Sequence, residues 1–155
     1  MTILLLASCG FQLRGTAQTG IRAMHVSSVP GSGVFTDIRR ALATGPTRLV
    51  PTPAEAEAHL RILGEGREKT VATITGTGRV YEYQLRLVVD YEMLAPGREI
   101  PVIAPTRAEA RRLITYSETA PVAKEAEEQL LFKDMQSELA ARILRQVAIA
   151  RRELS

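Results

Sequence analysis

The chain has 155 residues, a formal net charge of +3, a pI near 9.3, 45% hydrophobic residues, 5% aromatics, no tryptophan and one cysteine. That is enough for one domain with a core built from Leu, Ile, Val and Ala. It excludes an intramolecular disulfide and a Cys/His metal framework, and no run approaches the ~20 apolar residues of a membrane-spanning helix.

In chain order, the first signal is Ile3-Leu4-Leu5-Leu6, then the small Ala7 and Ser8, then Cys9. An apolar run, two small residues and a cysteine form the pattern of a bacterial lipoprotein signal. The small residues fit narrow peptidase subsites, and the thiol can take a diacylglyceryl group as a thioether. No Lys or Arg precedes the run, which departs from the usual basic start of an export signal. The other reading of the segment is a ragged N-terminus with a buried thiol. On the first reading, residues 1–8 are residual signal peptide, residues 9–20 are a lipidated tether, and residues 21–155 are one domain. Two or three acyl chains at Cys9 would anchor it firmly, since each buried CH₂ contributes ~0.8 kcal/mol. Gly10 follows the cysteine where inner-membrane lipoproteins carry Asp. By resemblance to Gram-negative lipoproteins, this favours the periplasmic side of the outer membrane. An exported address leaves no place for nucleic acid as a partner, although the mild basicity permits phospholipid or lipopolysaccharide.

A first strand is expected over 21–29, where Met24 and Val26 alternate with Ala23, His25 and Ser27. Pro30-Gly31-Ser32-Gly33 breaks it, and Phe35, Ile38 and Leu42 then fall at helical spacing until Gly45-Pro46. A loop covers 46–56. A second strand starts at Ala58, Leu60 and Ile62 and runs through Gly64 and Gly66 to Ile74. Thr75-Gly76-Thr77-Gly78 makes a turn.

The clearest periodicity follows. Tyr81, Tyr83, Leu85, Leu87, Val89, Tyr91 and Met93 share one face, and Glu82, Gln84, Arg86, Asp90 and Glu92 share the other, with Val88 the exception. This is a half-buried antiparallel strand of ~50 Å. After the Pro96-Gly97 turn, prolines at 101 and 105 place the start of the fourth strand near Thr106. There Ala108, Ala110, Ile114 and Tyr116 face one way, and Arg107, Glu109, Arg111 and Thr115 the other. A helix from about Pro121 to Arg152 carries the ladder Leu131, Met135, Leu139, Ile143 and Val147, with early glutamates and late arginines as the helix dipole favours. At ~45 Å it matches the long strand. The expected fold is therefore α/β: a two-layer sandwich, with two helices on one face of a four-stranded, mainly antiparallel sheet, in the order β-α-β-β-β-α.

No catalytic constellation stands out. His25 and His59 lie in strands and read as satisfied strand residues. Thr75–Gly78 and Gly64–Gly66 lack the Lys-Ser/Thr of a phosphate loop. The basic residues remain: Arg107, Arg111 and Arg112 near the fourth strand, Arg79 beside the turn, and Lys124 in the first turn of the last helix, where the dipole disfavours a cation. Taken singly, each also reads as a solvated surface charge.

Three stretches together resemble the LptE family of lipopolysaccharide-assembly lipoproteins. These are Leu6-Ala7-Ser8-Cys9-Gly10-Phe11-Gln12-Leu13-Arg14-Gly15, then Tyr81-Glu82-Tyr83-Gln84 leading to Pro96-Gly97-Arg98-Glu99-Ile100, and then Ala123-Lys124-Glu125-Ala126-Glu127-Glu128-Gln129 followed by Lys133-Asp134-Met135. The resemblance implies a non-enzymatic plug inside the outer-membrane β-barrel LptD that helps the barrel assemble and contacts lipopolysaccharide. It needs no cofactor beyond the lipid on Cys9. It implies lipopolysaccharide contact at Lys124. A second basic position of the family lies in the turn before the Glu-Tyr-Gln strand; here Gly76 or Thr77 stands near that place and Arg79 slightly later. The competing functions are an unrelated envelope lipoprotein of structural or peptidoglycan-binding type, and a small lipoprotein hydrolase.

Overall fold

The computed structural model describes residues 18–154. Cys9, the signal segment 1–8 and the tether up to residue 17 lie outside the described residues. The elements are β1 (Ala23–Ser28), α1 (Gly33–Ala43), β2 (Arg48–Leu49), β3 (Ala58–Ile74), β4 (Val80–Leu94), β5 (Ile103–Thr115) and α2 (Pro121–Ala150), closed by a 3-10 turn at Arg151–Leu154. Two helices lie on one face of an open sheet, as the periodicities require.

The sheet is mixed, in the order β2-β1-β3-β4-β5. β1 runs parallel to β3, with Met24 opposite Ala58 and Ser28 opposite Ile62, as a β-α-β crossover through α1 demands. β3, β4 and β5 form an antiparallel meander. The fifth strand, β2, falls in the expected loop 46–56. Two residues are too few to show a period, and only the bonds from Arg48 N to Arg22 O and from Val50 N to Met24 O reveal it. β5 begins at Ile103, three residues before the expected start. Pro105 is tolerated because β5 is an edge strand, where one side of the backbone needs no ladder partner. Part of that edge is occupied: Arg142 of α2 donates to the backbone oxygen of Glu109 at 2.8 Å.

The helix-facing side holds the core. Leu60, Leu85, Leu87, Val89, Met93, Met135, Leu139 and Ile143 are fully buried. α1 contributes Val34, Ile38 and Leu42, and Phe35 is only partly buried beneath the Arg39 guanidinium. On α2 the buried stripe includes Phe132, while Leu131 packs at its margin. Tyr81 and Tyr116 lie on the apolar face of their strands yet are 52% and 45% exposed. The sheet extends past the start of α2, so its last rows have no helix above them.

One irregularity governs what β3 presents. The register passes from Ile62–Tyr91 to Gly64–Asp90, so Leu63 is bulged out. Parity reverses there. Ala58, Leu60 and Ile62 point to the helices before the bulge, and Glu65, Arg67 and Lys69 do so after it. Glu65 accepts from Ser32 Oγ at 2.7 Å, from Val34 N at 3.1 Å and from Gln136 Nε2 at 3.2 Å, tying the N-terminus of α1 to both β3 and α2. Arg67 lies over the Phe132 ring.

Candidate functional site

Beyond the covered core, the start of α2 and the ends of β4 and β5 enclose an open cleft of about 290 Å³, lined by Lys69, Tyr83, Thr115, Tyr116, Lys124 and Glu128 among others. Pro121 opens α2 at its first turn, and no side chain caps that end, because the residue at the cap position is Ala120. Lys124, one turn in, donates to Thr115 Oγ1 at 2.9 Å and to Glu127 Oε2 at 2.8 Å. Lys69 meets Glu128 Oε2 at 2.6 Å and lies over the Tyr83 ring, 4.6 Å from its centroid. Tyr83 and Tyr116 meet edge to face at 5.9 Å. The cleft thus offers two ammonium groups, the carboxylates of Glu125 and Glu128, an aromatic corner and an uncapped helix start. These groups suit a phosphorylated, partly apolar ligand. The ion pairs that occupy the lysines now are half-exposed, and such pairs contribute only about 0–1 kcal/mol, so a phosphate can compete for them.

Arg79 sits at the same end but does not line the cleft. It closes the β3–β4 turn, where Thr75 N donates to its carbonyl at 2.7 Å and Gly78 adopts a positive φ of 81°. Its guanidinium is 3.5 Å from Glu118 and largely exposed. Lys69 was not among the residues singled out in the sequence, because strand parity without the bulge places it on the opposite face.

The remaining basic candidates are consumed by ion pairs. On the uncovered face of the sheet, Arg107 pairs with Asp90 through two bonds of 2.8 and 3.0 Å. Arg86 bridges Glu68 and Glu109, and Arg111 also holds Glu109. Arg61 meets Glu92. The guanidinium of Arg107 holds the Asp90 carboxyl below its ordinary range, and Arg86 does the same for Glu109. Arg112 points to the helices instead and binds Glu138 of α2, whose carboxyl it lowers. His25 and His59 are satisfied strand residues, as expected: the first through Val50 O at 3.0 Å, the second through Ser27 Oγ at 2.8 Å, with their rings 4.6 Å apart. Among the described residues no three His, Cys, Asp or Glu side chains group to hold a metal ion.

Residues 21–147 match the family model LptE, described as lipopolysaccharide-assembly. The chain is 30% identical over 153 residues to the LPS-assembly lipoprotein LptE of Yersinia enterocolitica, covering 96% of this chain and 72% of that one. It is 26% identical over 151 residues to the protein of the same name from Pectobacterium atrosepticum, covering 95% and 80%. Among solved structures, lipoprotein B of Nitrosomonas europaea superposes with a TM-score of 0.77 at 28% identity over 90% of both chains. Rare lipoprotein B of Shewanella oneidensis gives 0.76 at 26% identity, over 86% of this chain and 98% of that one.

Proposed function

The chain belongs to the LptE family of lipopolysaccharide-assembly lipoproteins, and from that premise we propose that it plugs an LptD-type β-barrel, assists its assembly and contacts lipopolysaccharide. Membership makes it a non-enzymatic assembly protein. This sets aside the hydrolase reading and that of an unrelated peptidoglycan-binding lipoprotein.

The observation that carries the plug reading is the uncovered sheet face. A free-standing two-layer domain can leave one sheet face wet, but here that face is a lattice of mutually neutralised charges: Arg61–Glu92, Asp90–Arg107 and Glu68–Arg86–Glu109–Arg111. A surface of paired charges suits the polar lumen wall of a large barrel, whose inward side chains alternate with lipid-facing ones. It needs no apolar docking patch and leaves no net field to repel the wall.

The cleft supplies the ligand contact. Lys124, with Lys69 beside it, would take a lipid A phosphate through charge-assisted bonds, and Arg79 at the turn would meet a second anionic group. Cys9 would carry the lipid that holds the protein to the periplasmic side of the outer membrane. Extraction in mild detergent tests the reading: a β-barrel of the LptD type is expected to co-purify in fixed stoichiometry, and purification of this chain free of any barrel would overturn it.

A further inference from the structure

The two ends of this protein hold their cations differently, while Arg39, Arg67, Lys133 and Arg145 elsewhere are also exposed and make no ion pair among the described residues. At the cleft end, Lys69, Arg79 and Lys124 are each held by a carboxylate, as are the arginines of the open sheet face. At the other end, Arg48, Arg98, Arg151 and Arg152 are exposed and make no ion pair among the described residues. Arg22, bonded to Glu57, completes the group. Arg22, Arg98 and Arg151 line an open hollow of about 550 Å³ together with Gly20, Ile21 and Pro96. A second hollow shares Arg98 and is lined by Ile100 and Pro101. Ile100 is 80% exposed at the tip of the β4–β5 loop, and Ile149, on the last turn of α2, is 63% exposed. Glu99 and Glu153 are also here, but the arginines outnumber the acids.

This is also the end at which the chain leaves the domain toward its N-terminus. Thr19 is buried, its hydroxyl 2.8 Å from that of Thr47, so the chain is fastened up to that point. Gly20 has φ +70°, and the Arg151 side chain lies so close against it that any Cβ there would overlap the guanidinium. Arg151 is thus seated on the exit of the tether. From Cys9 to Gln18 the backbone reaches at most about 32 Å even if fully extended. A lipid on Cys9 therefore keeps this end, and not the cleft end, next to the membrane.

We propose that the Arg98–Arg151 end, with Ile100 at its tip, is a docking surface for anionic phospholipid headgroups of the leaflet that receives the Cys9 lipid. Unpaired guanidiniums meet phosphates with charge-assisted, often bidentate bonds. An isoleucine projecting between them enters the boundary between headgroups and acyl chains. Seated this way, the domain stands on the leaflet with its cleft end pointing away from it, the posture of the chain outside the barrel. The inference rests on the lipid-anchored reading for its biological setting but not for its test.

The test uses the full chain with Cys9→Ser, which cannot carry the lipid, and co-sedimentation with two kinds of vesicle. One is phosphatidylethanolamine containing phosphatidylglycerol, and the other is phosphatidylcholine alone. Binding is expected only to the phosphatidylglycerol vesicles, falling with salt. Arg98→Glu with Arg151→Glu should weaken it about tenfold or more. Ile100→Asp, which removes no charge pair and lies in an exposed loop, should weaken it as well. Equal binding to both vesicles, no binding to either, or an undiminished Arg98→Glu/Arg151→Glu variant with an unchanged melting temperature would each overturn the proposal. None of these results bears on barrel co-purification, so the two readings fail separately.

Discussion

Gln136 of α2 occupies the space that a side chain on Gly33 would need; a Cβ built at Gly33 overlaps its amide group. The amide is held there because its nitrogen donates to Glu65, which also receives the first turn of α1. The glycine is therefore favoured by helix-on-helix contact, not by its φ angle. Gly33→Ala should force Gln136 off Glu65 and cost about 1–3 kcal/mol, the usual cost of an unsatisfied partly buried polar group. In a double-mutant cycle with Gln136→Ala the two effects should be clearly non-additive, because the second change removes the obstacle. Additive melting-temperature losses would show that the two residues are not coupled.

His59 predicts a pH dependence. Burial, and then the neighbouring His25 and Arg61, lower its pKa below the ordinary 6.5. The unfolded chain takes up a proton near 6.5 and the native state resists until lower pH, so the unfolded state binds more protons in that window. The contribution is full above pH 6.5 and is lost as pH falls through the ordinary value toward the native one. The melting temperature should drop between pH 7.5 and pH 5.5, and His59→Gln should flatten that drop. The paired carboxylates Asp90 and Glu138, lowered by their arginines, lose their contribution only further down, as pH falls below the ordinary carboxylate range. A profile in which His59→Gln changes nothing above pH 5.5 would contradict the assignment.

The legible part of this molecule is the part with a period. Leu85 to Met93 and Met135 to Val147 mark their buried faces by spacing alone, and all lie in one core. The β-α-β-β-β-α order follows from them. What escaped reading is what breaks a period. The bulge at Leu63 costs one residue and turns Glu65, Arg67 and Lys69 toward the helices, so half the cleft's positive charge was invisible in an alternating pattern. β2 is too short to have a pattern. The arginines near the fourth strand looked like a basic cluster because Asp90, Glu109 and Glu138, which neutralise them, sit one strand over, two residues away and on another element. Lys124 was legible from its position at a helix start, but its partner Thr115 was not.

Lys124→Glu should lower affinity for lipopolysaccharide while leaving the fold intact, since it removes only bonds at the surface. Losing one charged hydrogen-bond partner of a phosphate costs about 1.5–3 kcal/mol, roughly a tenfold to hundredfold weakening. Lys69→Glu should act in the same direction, because both ammonium groups border one cleft. Arg79→Glu, outside the cleft, should weaken binding less. Titration at two salt concentrations checks all three; equal affinity in the Lys124 variant would remove that residue from the site.

Cys9→Ala should remove the covalent hold on the membrane without unfolding the domain, because the core is built from residues between Ile21 and Val147. Fractionation of barrel-depleted cells, with the membranes washed in high salt to strip electrostatically held protein, should find the variant soluble, and the native protein should carry an acyl mass on the Cys9 sulfur. A variant that still pellets with the outer membrane after the barrel partner is depleted and the membranes are washed in high salt would contradict the anchor.

The open sheet face yields the sharpest separation of stability from assembly. Arg86 is held by Glu68 on one side and Glu109 on the other, and this pairing raises its pKa, so its charge is fixed at any physiological pH. Exposed pairs of this kind add little to folding, whereas an unpaired charge pressed against a barrel wall has no water to screen it. Arg86→Glu places three carboxylates together on β3, β4 and β5 where a cation had joined two. The isolated chain should tolerate this with a small change in melting temperature, because water reaches the face. Recovery of the barrel complex should fall strongly, and falling less at high salt would identify the cause as electrostatic. Restoring the balance with Glu68→Arg in the same chain should recover part of the complex. A loss of complex in proportion to a loss of melting temperature would instead mean that the lattice serves the fold alone.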